Sequence, residues 1–471
     1  MNRAPRLTKS LLFWRSLRAI ARQSFRMLLV GFALVLATAG CGNRESPVRV
    51  VLITLDTLRF DYLDSGPSGQ PAMPRTSEHA ERGVRFQRFY SSSSVTQPVH
   101  ASLLTGLYPW EHGVTRNGVV LSERIPNIVE TFKARGFETA AVVASFPLAS
   151  RFGFARGFDR FVEDFDLDFV EGLRTWEGRW RVPSSGFHTA GNSISERALD
   201  ALDAAKGKKQ FFWFHFFDPH SPYGSTDGGT WNRQFIFKAT FDAGPPGAAP
   251  VQVFLEQAKR LYARDVAYLD AALARVLDRL AADADRMETH VFVVSDHGES
   301  FGEGGSIGHG YRLSEEQLRV PAFLLSPRVA SRVEHELAGS IDVAPTLLAL
   351  AGVPPEGNGM AGRDLSQPGA GNARAFAMRR TFETGTGREL RMDRRYHELK
   401  GLLFAEVDGE GQIHLGNGRG LANTSTPRTP ATERAIVGRF REFEERLRAF
   451  DRPPSLDPEV RRGLEALGYV D

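Results

Sequence analysis

Cysteine is almost absent: Cys41 is the one such residue in 471. A single thiol closes no disulfide within the chain, so an exported fold must draw its stability from packing. Long apolar runs are scarce as well. The run Met27–Leu36 falls short of the roughly 20 residues that a bilayer span needs, which excludes an architecture of several membrane spans. Charge of one sign is also lacking, since the formal net charge is only +3. Even that small excess is local: Met1–Arg26 holds seven Arg and Lys and no acid, and without them the balance is −4. Nothing in this distribution suggests a nucleic-acid partner.

What is present begins with size. A chain of 471 residues with 42% apolar content buries a large core, which suggests one large α/β domain and a smaller one. The basic start, the short apolar run and the small residues Ala37-Thr38-Ala39-Gly40 before Cys41 read as a secretory signal over residues 1–40, ending in a lipobox-like cysteine. An uncleaved N-terminal anchor helix is the other reading of the same residues. Both lead to the expectation of export from a bacterial cytoplasm and of anchoring at a membrane surface, facing the periplasm. A linker over 41–47, a catalytic domain over 48–375 and a small subdomain over 376–471 complete the expected organisation.

Four stretches carry the chemistry. Val48–Thr57 is a nearly continuous β-branched run, the mark of a central parallel strand, and Asp56 stands at its carboxyl end. That acid reads equally as a turn cap or a metal ligand. Ser91–Gly106 is a hydroxyl-rich loop entering a short helix through Pro98. Thr96 there reads either as an N-cap or as a hydroxyl placed where helix N–H groups and the positive dipole end meet an anion. In Phe211–Tyr223 the most apolar strand empties into Asp218-Pro219-His220-Ser221-Pro222-Tyr223, where two prolines flank His220. The fourth, His290–Glu299, ends a buried strand in Asp296-His297-Gly298, a natural half-site for a divalent cation. Gly308-His309-Gly310 follows soon after.

Between these stretches, Pro74–Phe86 and Leu255–Leu280 have helical spacing, and Ile125–Ala144 reads as a helix ending at Gly136 followed by a buried strand. Asp265 and Asp270 read as helix-surface or capping groups. Asp164–Ser195 reads as an insertion over the pocket, and Gly224–Val251 as a loop. Ile341–Gly352 is a helix, and short strand-like runs after Phe376 suggest an antiparallel C-terminal subdomain, followed by a charged helix over Glu433–Phe450.

These motifs resemble the sulfatase and phosphonate monoester hydrolase branch of the alkaline phosphatase superfamily. Pro98 and Ala101–Gly106 match its nucleophile segment, Asp-Pro-His-x-Pro-Tyr and Asp-His-Gly match two others, and the likeness extends to Leu464–Val470. The resemblance implies an alkaline-phosphatase-like α/β/α sandwich with a mostly parallel central sheet. It also implies that Asp56, Thr96, Asp296 and His297 hold one divalent metal ion. Asn117 would contact non-bridging oxygens, His220 the leaving-group side, and His309 the transferred group.

Three departures from the family pattern matter. Thr96 stands at the cysteine position, and its β-methyl prevents oxidation to formylglycine, so it would act as an unmodified alcohol. His100 replaces an arginine, which lowers the positive charge and suits monoanionic diesters or phosphonate monoesters. Thr57 replaces a second acid, so the ligand set favours Mn²⁺, Zn²⁺ or Mg²⁺ over Ca²⁺. The substrate expected is a small-molecule, glycan or lipid ester. Competing readings are a sulfuric ester hydrolase in the strict sense, a phosphoglycerol or phosphoethanolamine transferase, and a non-catalytic glycan- or lipid-binding lipoprotein.

Overall fold

The computed structural model describes residues 47–64, 66, 69, 71–163, 175–176, 179–180, 188–221, 223–224, 249–303, 307–310, 313–354, 359–370, 375–383, 391–398, 403–407, 413–417 and scattered positions from 434 to 446. The expected signal segment, Cys41, nearly all of the Gly224–Val251 loop and the closing Leu464–Val470 lie outside them. Among the described residues no helix is long and apolar enough to cross a membrane.

Strands that read as continuous apolar runs form the middle of an eight-stranded sheet. In chain order its strands are β1 (Val48–Leu55), β2 (Val84–Phe86), β3 (Glu138–Val143), β4 (Arg160–Glu163), β5 (Lys209–Phe216), β6 (Glu288–Ser295), β7 (Ala322–Leu325) and β8 (Arg332–Glu334). They lie side by side as β8-β2-β7-β6-β1-β5-β3-β4, and within this sheet only β7 runs antiparallel to its neighbours. This is the mostly parallel α/β fold that the motifs imply. A second sheet of four antiparallel strands, Phe376–Glu383, Arg391–Glu398, Leu403–Val407 and Ile413–Asn417, follows in the C-terminal part.

Period-two alternation along β1 explains the layers. Val50 and Leu52 pack into one apolar cluster with Val99, Leu103, Phe132 and Leu347, while Val51, Ile53 and Leu55 pack into another with Ile194, Leu269 and Leu273. The first face is covered by α2 (Thr96–Thr105), α3 (Ile128–Ala134) and α6 (Val343–Leu350), the second by α1 (Pro74–Glu81), α4 (Gly191–Ala204) and α5 (Ala249–Ala282). Both faces of the sheet are dry, as a parallel sheet requires.

Several expectations change in detail. The helical spacing over Pro74–Phe86, with Gly83 expected as its C′ residue, gives a helix that stops at Glu81 with Arg82 as its C-cap, and Val84–Phe86 beyond Gly83 is strand β2. Gly83 sits where an added Cβ would meet the Leu324 carbonyl oxygen at 2.2 Å, so the close approach of β7 admits only glycine there. Ser195 belongs to α4, which begins at Gly191. Asp265 and Asp270 are buried rather than on the helix surface. Asp270 does cap a helix, but a different one: it accepts the Arg75 and Thr76 N–H groups at the start of α1.

Candidate active site

The carboxyl ends of β1 and β6 lie side by side, and the ladder runs one residue past each strand. The Asp56 N–H donates to the Phe216 carbonyl (2.9 Å) and the Asp296 N–H to the Leu55 carbonyl (3.0 Å), which delivers two carboxylates to one edge of the sheet. Immediately after Asp56 the chain turns sharply. Thr57, at φ 54°, is the one non-glycine residue in the left-handed region among those described. Such a conformation costs on the order of 1–3 kcal/mol and persists only when neighbours hold it. Here the Thr57 N–H donates to Asp296 Oδ1 (3.1 Å), and Tyr262 of α5 donates its hydroxyl to the Thr57 carbonyl (2.8 Å).

Asp296 Oδ1 also accepts the His297 N–H (2.6 Å), whereas Asp296 Oδ2 and both oxygens of Asp56 have no hydrogen-bond partner although fully buried. One ligand atom each from Asp56, Asp296 and His297 lies within 4.8 Å of the others. Burial, followed by the charges of Asp296 and Glu299, pushes the Asp56 carboxyl well above its ordinary value. Buried carboxylates left unpaired and crowded together are the arrangement a cation relieves. Two carboxylates and an imidazole therefore fit a divalent ion of intermediate hardness.

Thr96 is not an N-cap. Val95, with extended backbone, takes that place without a side-chain hydrogen bond, and Thr96 is the first residue of α2. Its fully buried hydroxyl instead faces His297, with Oγ1 3.5 Å from Nε2. One turn on, His100 donates from Nδ1 to the Thr96 carbonyl (2.9 Å) and lies 3.7 Å from Asp296 Oδ2. Burial pushes that imidazole down to about 3, so it adds no positive charge at neutral pH, less even than the sequence suggests.

Asn117 comes to the same helix start. Its Oδ1 accepts the Gln97 N–H (2.9 Å), while Nδ2 is buried without a hydrogen-bond partner. Gln97 fixes this loop: its amide donates to the Pro147 carbonyl and accepts the Gly118 N–H, each at 2.5 Å.

Opposite Thr96, three imidazoles pack in a row. The His309 ring centroid lies 4.5 Å from that of His297 and 4.8 Å from that of His220. His220 stacks on Phe217 (4.2 Å) and donates from Nδ1 to the Ser221 carbonyl. Burial, helped by His309, holds His220 well below its ordinary value. Burial would lower His309 too, but the Glu299 carboxylate, 3.0 Å from Nδ1, outweighs it and raises the imidazole. Glu299 is in turn fixed by the Tyr223 hydroxyl (2.8 Å).

The structure thus gathers Asp56, Thr96, Asp296 and His297 at one point, with His100 and Asn117 on the α2 side and His220 and His309 opposite. Sequence reasoning gave no role to Gln97, His215, Tyr223, Tyr262 or Glu299. His215 offered a signal, as the polar break in Phe211–Phe217, and so did Glu299, directly after Asp-His-Gly. Tyr262 offered none, because its partner lies 205 residues away.

A fold this arranged is shared with solved enzymes. The phosphonate monoester hydrolase SpPMH from Silicibacter pomeroyi superposes with a TM-score of 0.62 at 20% identity, covering 87% of this chain and 97% of that one. The fold is alkaline-phosphatase-like, and together with the family match below it makes the chain a hydrolase acting on ester bonds. The family described as Sulfatase matches residues 49–353, and the chain belongs to the sulfatase family. Among curated relatives, the choline-sulfatase of Rhizobium meliloti is 23% identical over 64% of this chain and 67% of its own length. The multifunctional alkaline phosphatase superfamily protein PehA of Trinickia caryophylli is 24% identical over 64% and 73%.

Proposed function

We propose that this sulfatase-family hydrolase cleaves phosphoric or phosphonic esters, and sulfuric esters as a second class, with Thr96 as an unmodified nucleophile. The observation carrying the reading is the buried Thr96 hydroxyl at a helix start, facing His297 beside two carboxylates that lack hydrogen-bond partners. Asp56, Asp296, His297 and Thr96 would hold one divalent cation, with Mn²⁺, Zn²⁺ or Mg²⁺ preferred over Ca²⁺. Bound there, the ion lowers the pKa of the hydroxyl and offsets the negative charge of the ester.

Thr96 Oγ forms a bond to phosphorus as the bond to the leaving oxygen breaks, and water then hydrolyses the threonine ester. Of the two candidates His220 and His309, His309, whose imidazole is raised beside Glu299, supplies the proton that the leaving oxygen takes, because the single ring proton of His220 is committed to the Ser221 carbonyl. Asn117 Nδ2, a donor without a hydrogen-bond partner, steadies a non-bridging oxygen. With a neutral His100 in place of a cation, the site favours monoanions: phosphodiesters, phosphonate monoesters and sulfate monoesters over phosphate monoesters. The sulfuric branch is favoured by relatives such as the choline-sulfatase. The leader pattern supports acylation of Cys41 and a membrane-anchored, periplasm-facing enzyme.

The test is a screen of protein lacking residues 1–40, loaded in turn with Mn²⁺, Zn²⁺, Mg²⁺ and Ca²⁺. Aryl sulfate, phosphate monoester, phosphodiester and phosphonate monoester are offered as substrates beside Thr96→Ala. Turnover of a monoanionic ester, lost in the variant, with an acid-quenched phosphopeptide carrying modified Thr96, supports the reading. Equal turnover by Thr96→Ala overturns it.

A further inference from the structure

His215 sits near the end of β5, fully buried, with Phe214 before it and Phe216 after it. A polar ring in so apolar a strand needs partners for both nitrogens. The Ala144 N–H, at the end of the neighbouring strand β3, points at His215 Nδ1 (3.2 Å). A backbone N–H can only donate, so Nδ1 carries a lone pair and the ring's proton is on Nε2. That Nε2 has no hydrogen-bond partner. The carboxylate beside it is Asp56, whose Oδ2 lies 3.4 Å away and is likewise without a hydrogen-bond partner. Against the ring, edge-on at 5.0 Å, stands His100, whose Nδ1 proton is committed to the Thr96 carbonyl.

We propose that His215 is a positioning residue: its Nε2–H, 3.4 Å from Asp56 Oδ2, attracts that carboxylate and holds it in one orientation for the cation. The inference rests on the metal reading of the site given above. Ala144 sets the tautomer, the tautomer aims the proton, and the proton orients the ligand, so a backbone amide just past β3 determines the geometry of a group just past β1. Outer partners of this kind typically change metal affinity about 10–100-fold when removed.

Two substitutions separate the tautomer-setting contact from the positioning contact. In His215→Asn the side-chain oxygen can still accept from Ala144, but nothing reaches Asp56. In His215→Gln the longer amide can still donate to Asp56. Mn²⁺ affinity is measured by calorimetry on metal-stripped protein, with urea midpoints recorded in parallel and Asp56→Ala as a control. The expected result is a dissociation constant weakened about 10–100-fold in His215→Asn and within about 3-fold of wild type in His215→Gln. Wild-type affinity in a folded His215→Asn overturns the proposal. Should His215→Asn fail to fold, His215→Gln decides: retained affinity supports the proposal and a loss beyond about 10-fold overturns it. If Asp56→Ala itself binds Mn²⁺ as tightly as wild type, the metal reading falls and the proposal falls with it.

Discussion

Thr96 shows how one side chain changes meaning between sequence and structure. A threonine before a helical run is ordinarily a cap, and on local grounds alone that reading stands. Three dimensions place His297 opposite its hydroxyl, 201 positions along the chain. Thr96→Ala is therefore expected to lower turnover by about 10³-fold or more, and Thr96→Ser, which keeps the hydroxyl, to retain most of it; steady-state kinetics on an aryl phosphonate or diester decides. Asp218 adds a pH-dependent contribution to stability. Asp218 accepts the Gly191 N–H on one oxygen (2.8 Å) and has no hydrogen-bond partner for the other. Burial, only partly offset by the Gly191 N–H, raises its carboxyl from 3.8 to about 6. The folded chain thus holds a proton that the unfolded chain releases. The resulting stabilisation is complete below about pH 4 and is lost as pH rises through about 6, a swing on the order of 3 kcal/mol. Urea midpoints across pH 4–7 are expected to fall less in Asp218→Asn, whose neutral amide carries no such titration.

Elements were legible where a hydrophobic period broke abruptly at a polar residue. β1, followed at once by Asp56, and β6, followed by Asp296 and His297, are of this kind, because a strand buried on both faces reads as a nearly continuous apolar run and the acids beyond it stand out. The elements that join the site were hidden, since their contacts are far apart in sequence. Tyr262 on α5 pins the turn at Thr57, and neither stretch carries a mark of the other. Val84–Phe86 was hidden for the same reason, since the strands it pairs with, β7 and β8, lie far along the chain. Gln97 is the clearest such joint: its amide ties α2 to the Gly118 and Pro147 backbones. Gln97→Ala leaves two buried backbone groups unpaired, at about 1–3 kcal/mol each. Chemical denaturation is expected to report a loss on the order of 2–4 kcal/mol, with turnover falling as Asn117 loses its fixed place.

For the whole molecule, the site and the fold share one source of stability. A sheet that gathers unpaired carboxylates at its edge is less stable at neutral pH without a cation than with one. An ion that binds only the folded chain contributes about 2.7 kcal/mol when present at 100 times its dissociation constant. Chelation is therefore expected to lower the melting temperature, and Asp56→Asn to reduce that shift, because it removes both a ligand and the charge the ion offsets. Equal melting temperatures in chelator and in Mn²⁺ would mean that no ion is held. The single most direct measurement is anomalous diffraction at the manganese edge from crystals grown with Mn²⁺. One strong peak is expected about 2.0–2.3 Å from oxygens of Asp56 and Asp296, a nitrogen of His297 and the hydroxyl of Thr96. No peak there, or an ion bound elsewhere with Thr96 beyond its reach, would contradict it.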